Sequence, residues 1–224
     1  MIIQIYAFTN PKEAIRAASL GVDQIGFVAG CYDLVPGELS FDEAREIRKA
    51  LPPGVKASAL TMSTDVDEIL RMAEAIEPDI VHISTDVEDV AEPAMEALKK
   101  RLAPDILLMK ALPVGGAESL MLAKRFEPYS DIFLLDTKIT HMPGVGATGH
   151  THDWSISHQI VQECDVPIIL AGGLDAGNVK DAIRKVQPWG VDSNTHTNIK
   201  GDQVKKDLDR IANFVAAVKD AERA

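Results

Sequence analysis

The chain has 224 residues, 46% of them apolar, which is enough to bury a substantial core as one large domain. Lys plus Arg number 23 against 34 for Asp plus Glu, and the net charge of -11 excludes broad affinity for nucleic acid or an anionic membrane. Only two cysteines occur, Cys31 and Cys164, so no disulfide framework or zinc-ribbon spacing exists, and a reducing cytoplasm is the expected compartment.

The first apolar stretch, Met1 to Phe8, lacks the charged region and cleavage site of a signal peptide, and no later run reaches the roughly 18 to 20 apolar residues of a membrane span. Strand-length apolar runs follow at Asp23 to Val28, Val55 to Leu60, Asp79 to Ile83, Asp105 to Met109, Asp131 to Leu135, Pro167 to Ala171 and Gly190 to Ser193. Helical patterns separate them: Pro11 to Leu20, Phe41 to Ala50, Val66 to Ile76, Val90 to Leu102, Ala117 to Phe126, Ser155 to Glu163, Ala176 to Val186 and Gln203 to Val218. Asn10 before Pro11, and Ser40 three residues before Glu43, are helix-start chemistry. With no linker or low-complexity tract, the alternation predicts a single domain over residues 1–224, an α/β protein closed as a (βα)8 TIM barrel. No G-x-G-x-x-G follows the first strand, which weakens a dinucleotide-binding reading.

Three strands repeat at equal spacing: 105 - 79 = 26 and 131 - 105 = 26. Five residues after each acidic start stand Ser84, Lys110 and Asp136, so the repeat predicts three polar residues at equivalent heights on the C-terminal rim, where barrel chemistry is placed. Lys110 and Asp136 would then share a ligand, or form an ion pair that plugs the barrel top.

Leu134-Leu135-Asp136-Thr137-Lys138, Gly146-Ala147-Thr148-Gly149-His150-Thr151-His152-Asp153-Trp154, Leu170-Ala171-Gly172-Gly173-Leu174 with Asn178-Val179, and Gly190-Val191-Asp192 occur in one order. In that order and spacing they resemble the phosphoribosylanthranilate isomerase family, and Gly21 to Val28, Ala44 to Ile47 and Leu51-Pro52-Pro53 extend the likeness over nearly the whole chain. The resemblance implies a cytoplasmic enzyme of tryptophan biosynthesis that needs no cofactor and performs an Amadori-type aldose-ketose isomerisation of a phosphorylated sugar derivative. In that reaction a general acid opens the sugar ring and a general base removes the C2 proton. It also implies that Asp136 is the acid, that Lys110 is a lysine common in the family, and that the phosphate lies between the last two strand loops.

Three departures stand against that background. The family's base cysteine is replaced by Tyr6, a poor base near neutral pH unless a cation such as Lys110 lowers its pKa. Gly37 stands nearest the arginine that holds the substrate carboxylate, in a segment two residues longer. The Ser-Ser-Gly phosphate motif reads Asn194-Thr195-His196, and a Val-Gln-Leu-His-Gly segment reads Val81-His82-Ile83-Ser84-Thr85. Substrate or phosphate contacts are therefore expected from Gly146, Thr148, Gly172, Gly173, Asn194, Thr195, His196, His82 and Ser84, with Tyr6, Lys110 and Asp136 as the catalytic set.

Of six histidines, His82 and His196 fall at strand ends, His141, His150 and His152 in the loop after the sixth strand, and His158 on a helix. A metal held by His82, His196 and Asp136 was weighed and set aside, since no H-E-x-x-H or strand H-x-H supports it. The expected partner is a small molecule, phosphorylated if the resemblance holds in full, on a substrate that has diverged; self-association as a homo-oligomer is left open. Two alternatives remain: a lyase, aldolase-like or hydrolytic barrel using Asp136 and a Schiff-base Lys110, and a catalytically silent binding or assembly barrel.

Overall fold

Aliphatic runs too short for helices pair as parallel strands, and in a closed barrel both strand faces are buried. The computed structural model describes residues 1–116, 118–137, 145 and 151–223. The barrel strands are β1 (Ile2–Ile5), β2 (Gln24–Ala29), β4 (Lys56–Thr61), β5 (Ile80–Ile83), β6 (Leu107–Pro113), β7 (Ile132–Asp136), β8 (Ile168–Leu170) and β9 (Gly190–Ser193). A two-residue β3 (Glu38–Leu39) adds to the end of β2. The order β1, β9, β8, β7, β6, β5, β4, β2 closes through β2 onto β1, so the eight long strands form the expected barrel. Around it lie α1 (Pro11–Leu20), α2 (Phe41–Ala50), α3 (Val66–Ile76), α4 (Glu92–Arg101), α5 (Glu118–Phe126), α6 (Trp154–Glu163), α7 (Val179–Val186) and α8 (Leu208–Glu222). Among the described residues no helix is long and apolar enough to cross a membrane.

Alternation splits each strand. Ile3, Ile5, Ile25, Phe27, Val81, Ile83, Phe133, Leu135 and Val191 pack outward in the core shared with the helices, while Met109, Ala111, Ile132, Leu134, Ile169 and Ala171 form a separate cluster inside the barrel. The repeated aspartates have a structural reason. Asp23, Asp79 and Asp131 accept the backbone N–H of Ile3, Ala57 and Leu108 at 2.8, 2.8 and 2.9 Å, each stapling the neighbouring strand at the N-terminal end of the barrel. Charge-assisted bonds of this kind contribute about 1.5 to 3 kcal/mol each. Both helix starts marked by the sequence form: Asn10 accepts from Glu13 N, and Ser40 with Glu43 makes a complete capping box.

Two expectations fail. The last helix begins at Leu208, because Asn198 and Lys206 pair as an antiparallel bridge and residues 198–206 form a hairpin that Asp207 then caps. The equal-height ruler also breaks. Ile83 pairs with Lys110 and Lys110 with Phe133, so successive offsets are 110 - 83 = 27 and 133 - 110 = 23, not 26. An odd slip turns a side chain to the other face of the sheet. Lys110 therefore points outward, while Ser84 and Asp136 keep the inward parity.

Candidate active site

At the C-terminal ends of the strands a cavity of about 320 Å³ opens. Its polar lining includes Tyr6, His82, Ser84, Asp136, Asp192, Asn194, Thr195, Asn198, Asp202 and Gln203; its apolar lining includes Ala7, Val28, Leu34, Val35, Pro36, Leu60, Met62, Leu134 and Val145.

Asp136 ends β7, is 7% exposed, and accepts the N–H of Thr137 at 2.6 Å. Across the cavity Asp192, inward-facing on β9 and 6% exposed, accepts from Gln4 Nε2 at 3.1 Å. Burial, and then the charge of Asp136, push the Asp192 carboxyl up to about 8, against the smaller opposing pull of the Gln4 bond and the Lys206 charge. Two carboxylates in one dry site resist being ionised together, so near neutral pH Asp192 holds a proton that Asp136 helps to keep there.

Tyr6 leaves β1 toward the cavity, with its hydroxyl 2.5 Å from Ser58 Oγ and 3.0 Å from His82 Nδ1. Burial raises the Tyr6 phenol well above 10, an effect larger than the opposing Ser58 hydrogen bond, and Asp192 raises it further. Burial, with the Lys110 charge behind it, lowers His82 to about 3. Both groups are therefore neutral and serve as hydrogen-bonding surface; Tyr6 is no base here. His82 Nε2 is buried without a hydrogen-bond partner among the described residues.

Lys110 corrects the sequence expectation. Its ammonium donates to the Thr85 carbonyl at 3.2 Å and lies 5.7 Å from the centre of the Phe126 ring on α5, so it is on the helix side of the sheet. Burial lowers it to about 8, opposed by Asp86, Asp89 and Glu88. Lys110 neither activates Tyr6, nor plugs the rim, nor offers a Schiff base to a cavity ligand.

The remaining expected residues divide. Ser84 lines the cavity and donates to the Val145 carbonyl at 2.9 Å; Asn194 and Thr195 line it beside the short helical turn Thr195–Thr197. His196, half-buried on that turn, is not among the lining residues, and Gly172 and Gly173 stand behind Asp136. Gly172 has φ +84°, and a Cβ there would fall 2.7 Å from Thr137 Oγ1 and 3.2 Å from Asp136 Oδ1, so the glycine lets this strand end pack against the acid. Gly146, Thr148, His141 and His150 lie outside the described residues. Among the described residues no group of three His, Cys, Asp or Glu side chains is arranged to hold a metal.

Two functional residues escaped the sequence reading. Asp192 had a signal, a carboxylate at an inward position of an apolar strand. Lys206, 4% exposed, had none, standing in a charged loop of ordinary appearance. Its ammonium donates to the Tyr6 carbonyl, to Asn198 Oδ1 at 2.5 Å and to Asn194 Oδ1 at 3.2 Å, tying the hairpin to the first and last strand ends. Burial lowers it to about 7, with Asp192 and Glu13 opposing.

A closed (βα)8 barrel with an acidic pair facing a cavity at its C-terminal rim defines a barrel enzyme acting on a small molecule. The family model described as N-(5'phosphoribosyl)anthranilate (PRA) isomerase matches residues 3–217, and the chain belongs to that family. It is 32% identical to the N-(5'-phosphoribosyl)anthranilate isomerase of Haloferax volcanii, over 99% of this chain and 95% of that one. Isomerase 2 of that name from Methanosarcina mazei is 33% identical over 98% of this chain and 94% of its own. Among solved structures, phosphoribosyl anthranilate isomerase from Thermotoga maritima is similar with a TM-score of 0.80 and 27% identity, covering 98% of this chain and 100% of that one. Another phosphoribosyl anthranilate isomerase structure, in complex with reduced 1-(o-carboxyphenylamino)-1-deoxyribulose 5-phosphate, matches at a TM-score of 0.78 and 25% identity, covering 98% and 100%.

Proposed function

We propose that this chain is an isomerase of its family's kind, converting an N-substituted phosphoribosylamine into the corresponding 1-amino-1-deoxyketose phosphate, with Asp136 and Asp192 as a shared acid and base. The observation that carries the proposal is the pair itself: two buried carboxylates on one cavity, of which Asp192 holds its proton up to about pH 8. One proton on two carboxylates supplies both a donor and an acceptor at neutral pH.

The donor protonates the ring oxygen, the bond from C1 to that oxygen breaks, and the nitrogen lone pair forms a C1=N iminium. The ionised carboxylate then takes the C2 proton, and the electrons left at C2 form C1=C2 and neutralise the nitrogen. The enolamine ketonises as C1 gains a proton and the C2 hydroxyl loses one. Each step is a proton transfer, so the sequence needs no redox cofactor. The resemblance gives the acid's role to Asp136 alone; sharing it with Asp192 supplies the base that Tyr6 does not. Neutral Tyr6 and His82 are placed to hydrogen-bond the sugar hydroxyls, with Ser84 beside them. We assign the phosphate to the mouth formed by Asn194 and Thr195 and the glycine turn Gly172-Gly173.

The test is turnover of phosphoribosylated arylamines by the wild type, Asp136→Asn and Asp192→Asn. Both variants should lose at least about 100-fold in kcat while Kd changes little, since an amide keeps the shape but neither gives nor takes the proton. Full activity in either variant removes that residue from the pair.

A further inference from the structure

The cavity has an unusual charge balance for a ligand that would bring acids into it. Its described lining holds three carboxylates, Asp136, Asp192 and Asp202, one imidazole held neutral, and no lysine or arginine. One wall is continuous hydrocarbon, where Leu34, Val35 and Pro36 face Val28, Leu60 and Met62.

That wall is built in advance of any ligand. The Glu38 carboxylate accepts four successive backbone N–H groups, from Tyr32, Asp33, Leu34 and Val35, at 2.6, 2.7, 2.9 and 3.0 Å. The loop is wound round a fixed anion, which turns Leu34 and Val35 toward the cavity and leaves Leu34 48% exposed. An apolar side chain held open to solvent by so many bonds is a prepared contact surface. A ligand carboxylate brought against it would lose water, meet no cation among the described residues, and sit close to other acids, which is the most costly arrangement for a buried charge.

Resting on the isomerase reading, we propose that the nitrogen substituent of the substrate is an apolar aryl or alkyl group without a carboxylate, seated against Leu34, Val35, Pro36, Leu60 and Met62, with Glu38 as the residue that positions the wall. The specificity of this barrel then differs from that of an enzyme that must clamp an acidic ring.

Titration calorimetry of the wild-type protein with two stable product analogues, 1-phenylamino-1-deoxyribitol 5-phosphate and its ortho-carboxyphenyl counterpart, isolates the carboxylate. The phenyl compound should bind at least about tenfold more tightly, the cost of one unpaired, desolvated charge taken at its low end. Equal or tighter binding of the carboxylated compound overturns the inference and leaves the isomerase reading standing. Binding of neither overturns both, because the two compounds share the sugar phosphate.

Discussion

Replacing Asp192 with asparagine removes one titrating group and little volume, and its consequence is a matter of sign as well as size. The carboxyl sits at about 8 in the folded protein, against about 3.9 for an unburied aspartate. Between those values the folded chain holds a proton that the unfolded chain has released, so the stability tied to this group is complete below about pH 4 and is lost as pH rises toward 8. About three units of that window lie between pH 5 and pH 9; at roughly 1.36 kcal/mol per unit, the wild type should lose about 4 kcal/mol relative to Asp192→Asn across it. Urea unfolding of both proteins at the two pH values reads the difference directly, and other titrating groups largely cancel in it. The gap between variant and wild type should widen with pH in favour of asparagine. Parallel stability curves would show that Asp192 is ionised throughout, and the shared-proton pair would fall with it.

Lys110→Met should leave ligand affinity and turnover within about twofold of wild type, because the side chain packs toward Phe126 and not the cavity; calorimetry and initial rates check this. Loss of turnover with unchanged stability would restore Lys110 to the site. His82, lowered to about 3 by burial and the Lys110 charge, should show no imidazole titration between about pH 5 and pH 8 in NMR shifts of its ring protons; a midpoint near 6.5 would contradict its neutral role. Lys206→Met should cost about 2 to 4 kcal/mol in denaturant unfolding, since Asn198 and the Tyr6 carbonyl lose a buried donor, and a cost below about 0.5 kcal/mol would show that the hairpin does not depend on it.

The barrel was legible because its strands are continuous apolar runs and its helix starts carry explicit caps such as Asn10 and the Ser40 with Glu43 box. Register was not. The 26-residue repeat is real, yet its fixed points are the strand-stapling aspartates at the opposite end of the barrel, and offsets of 27 and 23 between neighbours send Lys110 outward. A repeat in sequence measures chain length between elements, whereas the face a residue presents depends on whether the pairing offset is odd or even. Asp136 was readable from its motif. Asp192 lay in a motif already noted, but its importance depends on the charge of Asp136, which only closure of the barrel brings near. Lys206 was hidden among loop charges, and the hairpin that buries it was read as the start of the last helix.

Proton transfer by the acidic pair is the centre of the account, and turnover of a phosphoribosylated arylamine in D2O measures it most directly. Wild-type protein should yield the 1-amino-1-deoxyketose phosphate with deuterium at C1, visible by NMR and mass spectrometry, and Asp136→Asn should bind the same compound without producing it. Isomerised, deuterated product from Asp136→Asn at the wild-type rate, or no product from the wild type with any such amine, would contradict it.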